Sequence, residues 1–405
     1  MFYKKQRGST MVLVVIGLSA LIAMGGLALD TAHVFLNTAR LQTALDAAAL
    51  AGAKSLDQST STVLATAAAQ SVFNSNLSNY SELKTAVSNG LTLNTQYSST
   101  LNPFTPGTTP AAFIRTSISG FKTTMSVVSV LGIPSISVTG SAVAGPSASE
   151  TTACNITPMV VCANPAASAP YYGYAADQVV GLTQVSSSNK SPGIGNYVVI
   201  NTGLTTANAL AGDYTGCATV GSTVKTQPGT STTSVCGGLN SRFGNYSGIS
   251  GSTANYPPDT INSASHCTGL TTNAQGHVCQ GSTVVTTASQ LNFNHASYCS
   301  LNQSASYDTA PTTPATTGTA SFTRRVVPVV LADCSGSASG GTSASVLGFA
   351  CLFMLQQVST SDTNATVYGQ ILANCNTRGK PSPGTQAATG PHTIQLYKSA
   401  GSSDS

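Results

Sequence analysis

Residues 11–53 read MVLVVIGLSALIAMGGLALDTAHVFLNTARLQTALDAAALAGA, and this stretch decides the fold. Residues 11–29 carry no charged side chain, and their length is close to the ~20 apolar residues that an α-helix needs to cross a bilayer. No polar turn follows this segment, because the helix-favouring composition continues past Asp30. We therefore predict a transmembrane helix over residues 11–29 that runs on, without a break, outside the membrane.

The continuation carries an apolar stripe at helical spacing. Its members are Val34, Leu41, Leu45, Ala48, Gly52 and Leu56. This pattern predicts an extended amphipathic helix within residues 30–80, which runs to about Phe73. Alanines around the stripe make one side smooth, so the helix can pack closely on another surface. Two surfaces fit equally well, namely the head of the same chain and a neighbouring subunit.

The charges predict which side of the membrane each part occupies. The tail formed by residues 1–10 has three basic residues (Lys4, Lys5 and Arg7) and no acid, whereas the rest holds 13 basic and 12 acidic residues. Cations beside a span stay in the cytoplasm, so the bulk of the chain is expected in the periplasm. The near balance of charge leaves no basic face for a nucleic acid. A cleaved signal peptide is the rival interpretation, but its apolar region is about 7–15 residues and ends at an A-x-A-like site. The apolar segment here is longer, and no convincing site of this kind precedes Asp30.

Ten cysteines all lie beyond residue 150, on the side predicted to be exported. Disulfides form and persist in an oxidising periplasm, so we take all ten as disulfide candidates. They are Cys154, Cys162, Cys217, Cys236, Cys267, Cys279, Cys299, Cys334, Cys351 and Cys375. Spacing does not determine their connectivity, although Cys154 with Cys162 is one plausible local bridge.

The rest of the chain divides by composition into two further parts. In residues 81–146 we predict a small α/β unit, with strands at 112–120 and 136–144 and a short helix at 122–131. Residues 147–405 form a Cys-rich part with much Ser, Thr and Gly, in which 305–320 is a linker or exposed loop. Its candidate central strands are 325–332, 346–358 and 393–397. The expected fold class is therefore α+β, with a transmembrane helix that continues into a long helix, the small α/β unit and a disulfide-rich, β-containing periplasmic domain.

The opening resembles a known family. RGSTMVLVVIGLSALIAMGGLALDTAHVFLNTARLQTALDAAALAGA, residues 7–53, is similar to the TadE/TadG-like segment of Tad (Flp) pilus-assembly proteins. The residues that carry the likeness are the apolar span, Leu29-Asp30, the Arg40-Leu41-Gln42 step and the alanine-rich 46–51. Segments 226–246, 324–335, 346–355 and 390–398 also resemble the extracytoplasmic part of TadG-like proteins.

The resemblance implies a single-pass protein of the bacterial inner membrane. Its implied role is that of a minor pilin-like or accessory protein in assembly of the Tad (Flp) type IV pilus. This system is related to type II secretion. Its implied partners are TadE/TadF-like minor pilins and other Tad assembly proteins. Prepilin processing would fall between Gly8 and Ser9, but type IV prepilins have a Glu five residues after the Gly, where this chain has Leu13. Processing followed by entry into the fibre, and retention in the membrane, therefore both stay open. The alternative function is an exported surface adhesin whose C-terminal domain binds a host or substrate.

Two patterns could suggest metal chemistry. Asp333, Ser335 and Ser337 follow an apolar run as D-x-S-x-S, a pattern that resembles the metal-site motif of von Willebrand A domains and supplies oxygen ligands suited to Mg²⁺ or Ca²⁺. Only 68 residues follow Ser337, too few for that fold, so we favour a strand and a Gly/Ser turn and keep an exported metalloprotein as a third hypothesis. Three His–Cys combinations within 266–299 lack a C-x-x-C pair, which favours disulfides with solvated histidines over zinc.

No hydrolase, metalloprotease or nucleotide-binding motif occurs in the sequence. We therefore expect no catalytic residue, cofactor, metal or small-molecule substrate. Three tyrosines (Tyr171, Tyr172 and Tyr174) could contact a glycan or partner if exposed, but a buried aromatic corner is the favoured interpretation. Arg242 is expected to act as a structural anchor at a helix end.

Overall fold

The computed structural model describes residues 9–251, 254–262, 269–303, 323–359, 364–376, 378–381 and 390–398. Gly8, Cys267, the basic tail up to residue 8 and the predicted linker at 305–320 lie outside the described residues. By their contacts, the described residues divide into two units. Unit 1 is drawn from Met1–Leu56, Thr62–Gly145 and Gln395–Ser405, and unit 2 from Asp57–Ser61 and Pro146–Ile394.

The apolar stretch forms one uninterrupted helix, α1, over Ser9–Ser59. It is followed by α2 (Thr62–Leu77) and α3 (Ser81–Ser88). The single helix predicted to run to Phe73 is wrong, because the chain breaks at Thr60, whose φ is 53°. There the Ser59 hydroxyl accepts the backbone N–H of Ser61 at 3.2 Å. Serine and threonine compete with helical hydrogen bonds in this way, which explains a break within the polar run at 58–62.

Unit 1 contains a four-stranded sheet in the order β1-β2-β3-β19. Its strands are β1 (Asn94–Ser98), β2 (Phe113–Thr124), β3 (Ser135–Pro146) and β19 (Ile394–Tyr397). The strands predicted at 112–120 and 136–144 correspond to β2 and β3. The helix predicted at 122–131 is wrong over its first residues, which extend β2 and pair with β3 at Lys122–Ser137, and only Val128–Leu131 makes a 3₁₀ turn.

The segment 393–397 was expected among the central strands of the Cys-rich part, and this expectation is wrong. β19 instead lies at the edge of the unit 1 sheet beside β3. There the Tyr397 ring packs edge-on against Phe113, with ring centroids 5.7 Å apart. Aromatic packing of this kind favours a strand, but it comes from a partner distant in sequence.

Unit 2 holds the remaining strands and the short helices. Along the chain these are β4 (Glu150–Cys154), β5 (Met159–Cys162), β6 (Val179–Gln184), β7 (Asn196–Ile200), α4 (Thr206–Asn208), β8 (Cys217–Thr219), β9 (Thr223–Gln227), α5 (Thr232–Asn240), β10 (Leu270–Thr272), β11 (Val278–Gln280), β12 (Thr283–Val284), α6 (His295–Gln303), β13 (Val326–Asp333), β14 (Ser343–Met354), β15 (Val367–Leu372), β16 (Asn374–Asn376), β17 (Arg378–Pro381) and β18 (Gly390–His392). The segments predicted at 325–332 and 346–358 correspond to β13 and most of β14.

Six of these strands close into a hydrogen-bonded ring. Their order is β13-β5-β7-β6-β15-β14, and β14 pairs back to β13, while β9 bridges β14 and β7. Alternate residues along a strand enter different apolar clusters, since Met159 and Val161 belong to one and Val160 and Cys162 to another. Both faces of the ring strands are thus covered, which explains why β13 and β14 read as nearly continuous apolar runs.

Among the residues of unit 2 that the structure describes there are three disulfides, namely Cys154–Cys217, Cys162–Cys334 and Cys351–Cys375. The local bridge between Cys154 and Cys162 does not form. The strand pairing explains this, because β4 runs antiparallel to β8 with Cys154 opposite Cys217, whereas Cys162 pairs in register with Ala332 of β13. The predicted α+β class, with a long apolar N-terminal helix and a disulfide-bonded β-rich part, is confirmed.

Candidate functional site: an exposed helix and its polar collar

The N-terminal half of α1 is bare. Apolar side chains from Met11 (77% exposed) to Leu29 (71% exposed) point into open space, and the helix is long and apolar enough to cross a membrane. Ser19 is the polar residue within 11–29, and its hydroxyl donates to the Val15 carbonyl of the same helix at 2.8 Å. Such a surface is stable in lipid or against other apolar helices, but costly in water.

A polar collar begins where the span ends. We define it as Asp30, His33 and Asn37 on α1 together with Glu82 on α3. The spacing of three and four places the α1 members on one helix face. Asp30 and Asn37 are 3% and 1% exposed. Further along α1, the same face carries the buried apolar stripe. This side of the helix is therefore apolar in the span, polar at the collar and apolar again in the stripe.

Asp30 fixes the loop between β2 and β3. One carboxylate oxygen accepts the backbone N–H of Ser126 at 2.9 Å, and the other accepts those of Val127 and Val128 at 2.9 and 2.8 Å. Hydrogen bonds to a charged acceptor are shorter and stronger than neutral ones. The carboxylate therefore caps the 3₁₀ turn that starts at Val128 and holds the loop against α1.

Glu82 completes the collar. Its Oε1 accepts the backbone N–H and the hydroxyl of Thr124 at 2.9 and 3.1 Å. Its Oε2 accepts from Asn37 Nδ2 at 2.7 Å and lies 2.9 Å from His33 Nε2. Burial by itself would raise the pKa of Glu82, but the hydrogen bonds from Thr124 and Asn37 outweigh it, so the pKa lies below its usual value.

Gly26 allows the loop to approach the helix. A Cβ placed on Gly26 would lie 2.4 Å from Cγ1 of Val127, which is too close for any side chain. Sequence reasoning missed this contact and the whole collar. The available signal was Asp30, the first charge after the span, followed by polar residues at helical spacing.

Past the collar, the predicted stripe turns inward. Leu41, Leu45, Ala48, Gly52 and Leu56 are buried, and Val34 is half-buried. A Cβ on Gly52 would lie 2.6 Å from Ile114 of β2 and 3.2 Å from Ala69 of α2. The stripe therefore packs on β2 and α2, which form part of the head of the same chain.

A second face of α1 stays open beyond the span. Its members are exposed, and their spacing of four, three, four and four residues puts them on one side of the helix: Ala28, Ala32, Phe35, Ala39 and Thr43. Phe35 is 76% exposed. We call this surface the open face. It continues the apolar surface of the span beyond the level of Asp30.

The sequence of this same segment can be compared with known proteins. Residues 8–55 match the family model described as "Putative Flp pilus-assembly TadE/G-like". The N-terminal segment is TadE/G-like. No curated protein and no solved structure matches the chain. The resemblances noted at 226–246, 324–335, 346–355 and 390–398 therefore stay predictions.

The TadE/G-like segment contains the span, the α1 part of the collar and nearly all of the stripe. Of the two prepilin-type processing residues, Gly8 lies outside the described residues, and Ser9 is the first residue of α1. Cleavage at this position would leave the whole helix intact, but the cleavage itself stays a prediction.

The candidate metal ligands of unit 2 have structural roles. Asp333 accepts the backbone N–H of Ser335 at 2.9 Å, and the buried Ser337 hydroxyl pairs with Thr226 at 2.7 Å. Cys334 between them is in a disulfide. A strand followed by a turn, the favoured interpretation, is what the structure has. Among the described residues, no group of three His, Cys, Asp or Glu side chains could hold a metal ion.

One Cys–His pair comes together in unit 2. Cys299 Sγ lies 3.6 Å from His295 Nε2, within α6. Burial raises the pKa of Cys299 to about 12 and lowers the pKa of His295 to about 4. Both groups are therefore neutral near pH 7, unlike the thiolate–imidazolium pair of a cysteine nucleophile. His295 also packs on Phe353, so the expectation of solvated histidines is wrong there, whereas His277 is exposed.

The other disulfide candidates in the described part of unit 2 remain reduced. Cys279 and Cys299 carry free, buried thiols. The Cys236 thiol lies 3.4 Å from the Ser359 carbonyl, to which it donates. Burial among apolar neighbours explains why these cysteines behave as small hydrophobic side chains.

The remaining residues singled out in the sequence are structural. Tyr174 is buried and donates to the Cys162 carbonyl at 2.8 Å, and Tyr171 and Tyr172 pack partly buried against the same core. Arg242 follows α5, is buried, and donates to the Leu210 carbonyl at 2.9 Å.

Proposed function

We propose that the chain is a membrane-anchored minor pilin-like or accessory protein in Tad (Flp) pilus assembly. The observation that carries the proposal is the TadE/G-like helix α1, whose large apolar side chains are exposed from Met11 to Leu29 and which then packs firmly into unit 1. The helix joins a lipid-compatible surface directly to a folded head, and the open face continues that surface beyond the collar.

The proposed orientation places the N-terminus in the cytoplasm and the bulk of the chain in the periplasm. The basic residues before the span support this orientation. The three disulfides of unit 2 also support it, because disulfides persist in an oxidising compartment.

The proposed work of α1 is an exchange of neighbours. In the inner membrane its bare half contacts lipid, and in a growing fibre it contacts the helices of TadE/TadF-like minor pilins or other pilus subunits. Because apolar contacts replace apolar contacts, the transfer exposes little apolar surface to water. The small residues of the open face suit close helix–helix approach, and Phe35 supplies its largest contact area.

The proposal involves no catalytic step, cofactor or nucleic acid. Its support is the neutral state of the His295–Cys299 pair and the structural use of Asp333, Ser335 and Ser337. The disulfide-bonded ring of unit 2 then serves as a rigid extracytoplasmic domain.

The first test is the N-terminal residue of the mature protein, measured by mass spectrometry on cell membranes and on sheared surface material. A start at Ser9 in the sheared fraction would show processing and entry into the fibre. A start at or next to Met1, confined to membranes, would show a fixed assembly protein. A start beyond Leu29 would contradict the anchored helix and favour the secreted adhesin.

A second test addresses the open face. Phe35→Asp should reduce piliation, because it puts a charge on the proposed helix–helix contact. Val63→Asp is the matched control, since Val63 is equally exposed at 76% but lies on α2. Equal piliation in both variants, with both proteins present at normal levels, would contradict a role of the open face in assembly.

A further inference from the structure

The loop between β2 and β3, residues 125–134, is an exposed apolar tip. It reads MSVVSVLGIP and contains no charged residue. Val130 is 86% exposed, Ile133 49% and Val127 37%, and Ile136 at the start of β3 is 40% exposed. Exposed apolar side chains clustered on one loop indicate a contact surface rather than a chance distribution.

The position of this loop along α1 indicates what it contacts. Val127 packs on Gly26, which lies within the apolar span, three residues before Leu29. At a rise of about 1.5 Å per residue, the contact lies roughly 4–5 Å inside the end of the span. Asp30, four residues further along the same face of α1, accepts the N–H groups of residues 126–128. The tip is therefore held at the depth where the bilayer ends.

At least six of the nine backbone N–H groups in residues 125–133 have an acceptor within the chain. Beyond the three N–H groups bound by Asp30, Met125 N–H donates to the Pro134 carbonyl, Val130 N–H to Val127 and Gly132 N–H to Ser129. The Ser129 hydroxyl donates to the Ser126 carbonyl at 2.7 Å. Pro134 has no N–H to satisfy. A surface loop in water has no need of this pairing, whereas an unpaired N–H in lipid is costly.

We propose that residues 125–134 insert their apolar tip into the adjacent leaflet and act as a second membrane contact beside the span. The partner is the lipid surface itself, and the inference rests on the proposed membrane anchoring of α1. Continuity favours lipid over a protein partner, because the tip extends a surface that already lies in the bilayer. Lys122 is exposed three residues before the loop, where a cation suits phospholipid head groups.

This second contact has a consequence for assembly. A single helix can rotate and slide in a bilayer, whereas a helix with an inserted loop has a fixed depth and a fixed rotation. The open face is then presented in one direction, and release of the protein into a fibre must withdraw the loop together with the span.

The absence of tryptophan from the chain allows a direct test. Three single-tryptophan variants of the full chain, reconstituted in phosphatidylethanolamine/phosphatidylglycerol vesicles with brominated acyl chains, place a probe at chosen sites. Val130→Trp probes the loop, Leu21→Trp the span, and Val63→Trp an exposed valine of α2. We expect blue-shifted emission and bromine quenching for Val130→Trp and Leu21→Trp, with shallower quenching in the loop, and neither effect for Val63→Trp.

The same variants separate the two ways to fail. Ile133→Trp serves as a second loop variant. If Leu21→Trp is quenched but neither Val130→Trp nor Ile133→Trp is quenched, the loop contact is overturned and the membrane span stands. No quenching at any site would overturn the membrane anchor and the loop contact together. A blue shift of Val130→Trp without bromine quenching would assign the tip to a protein surface and overturn the lipid contact.

Discussion

The two units of the molecule are stabilised in different ways. Unit 1 has no cysteine and relies on α1 packing its stripe against β2 and α2, whereas unit 2 closes a ring of strands and joins it with three disulfides. Unit 1 also contains the polar collar, in which the Asp30 carboxylate binds backbone N–H groups. The described part of unit 2 instead buries the neutral pair His295 and Cys299. The comparison teaches that unit 1, which contains the long apolar helix, depends on close packing, and that unit 2 depends on covalent closure.

The largest expected effect is the loss of the Cys162–Cys334 bridge. This bridge closes a sequence separation of 172 residues and links the ends of two neighbouring ring strands, β5 and β13. Replacing both cysteines by alanine should lower the free energy of unfolding of unit 2 by about 2–5 kcal/mol. Urea unfolding in detergent, followed by hydrogen exchange of β5 and β13, measures the change.

Two controls sharpen this comparison of the units. Cys279→Ala removes a buried free thiol from unit 2 without breaking a covalent link, so its effect should be smaller. Hydrogen exchange of β2 and β3 should be unchanged in the double variant. If unit 1 lost protection to the same extent as unit 2, the two units would not be independently stabilised.

The next effect concerns the packing of α1. Gly52→Leu forces a branched side chain between Ile114, the Ala65 carbonyl and Ala69, so it should destabilise unit 1 by about 1–3 kcal/mol. Gly17→Leu on the same helix is the matched control, because no atom lies within 4 Å of a Cβ at Gly17. Limited proteolysis of unit 1 in detergent compares them, and equal sensitivity would contradict a stripe buried against the chain's own head.

The sequence predicted those parts of the fold whose signal is local. Helical period revealed the stripe of α1, alternation revealed β2 and β3, and apolar runs revealed β13 and β14. The predictions went wrong where a distant partner decides, as in the assignment of β19 to the unit 1 sheet and of Cys154 to Cys217. The collar was missed for the same reason, because Asp30 acquires its role only from N–H groups almost a hundred residues away in the chain.

A smaller effect is expected at the collar. Asp30→Asn keeps the size of the side chain but removes its charge and one acceptor oxygen, so we expect a smaller loss of stability than for Gly52→Leu and faster hydrogen exchange at residues 126–128. Asp46→Asn is the control, because the Asp46 carboxylate accepts from the side chain of Gln42 on the same helix. Unchanged exchange at 126–128 in Asp30→Asn would show that the loop is held by apolar packing on Gly26 alone.

The smallest effect is a pH dependence in unit 2. Burial lowers the pKa of His295 to about 4, so below its usual value of 6.5 the unfolded chain binds a proton that the folded chain resists. Stability from this group is therefore complete above pH 6.5 and declines as the pH falls towards 4, with a loss on the order of 1 kcal/mol near pH 5.5. His295→Gln should flatten this part of the stability profile. Glu82 in the collar has a lowered pKa, so its contribution to the stability of unit 1 is lost only below its usual value of 4.5. Between pH 6.5 and pH 5 the decline in stability should therefore be confined to unit 2. A parallel decline of β2 and β3 protection in that window would contradict the difference drawn between the two units.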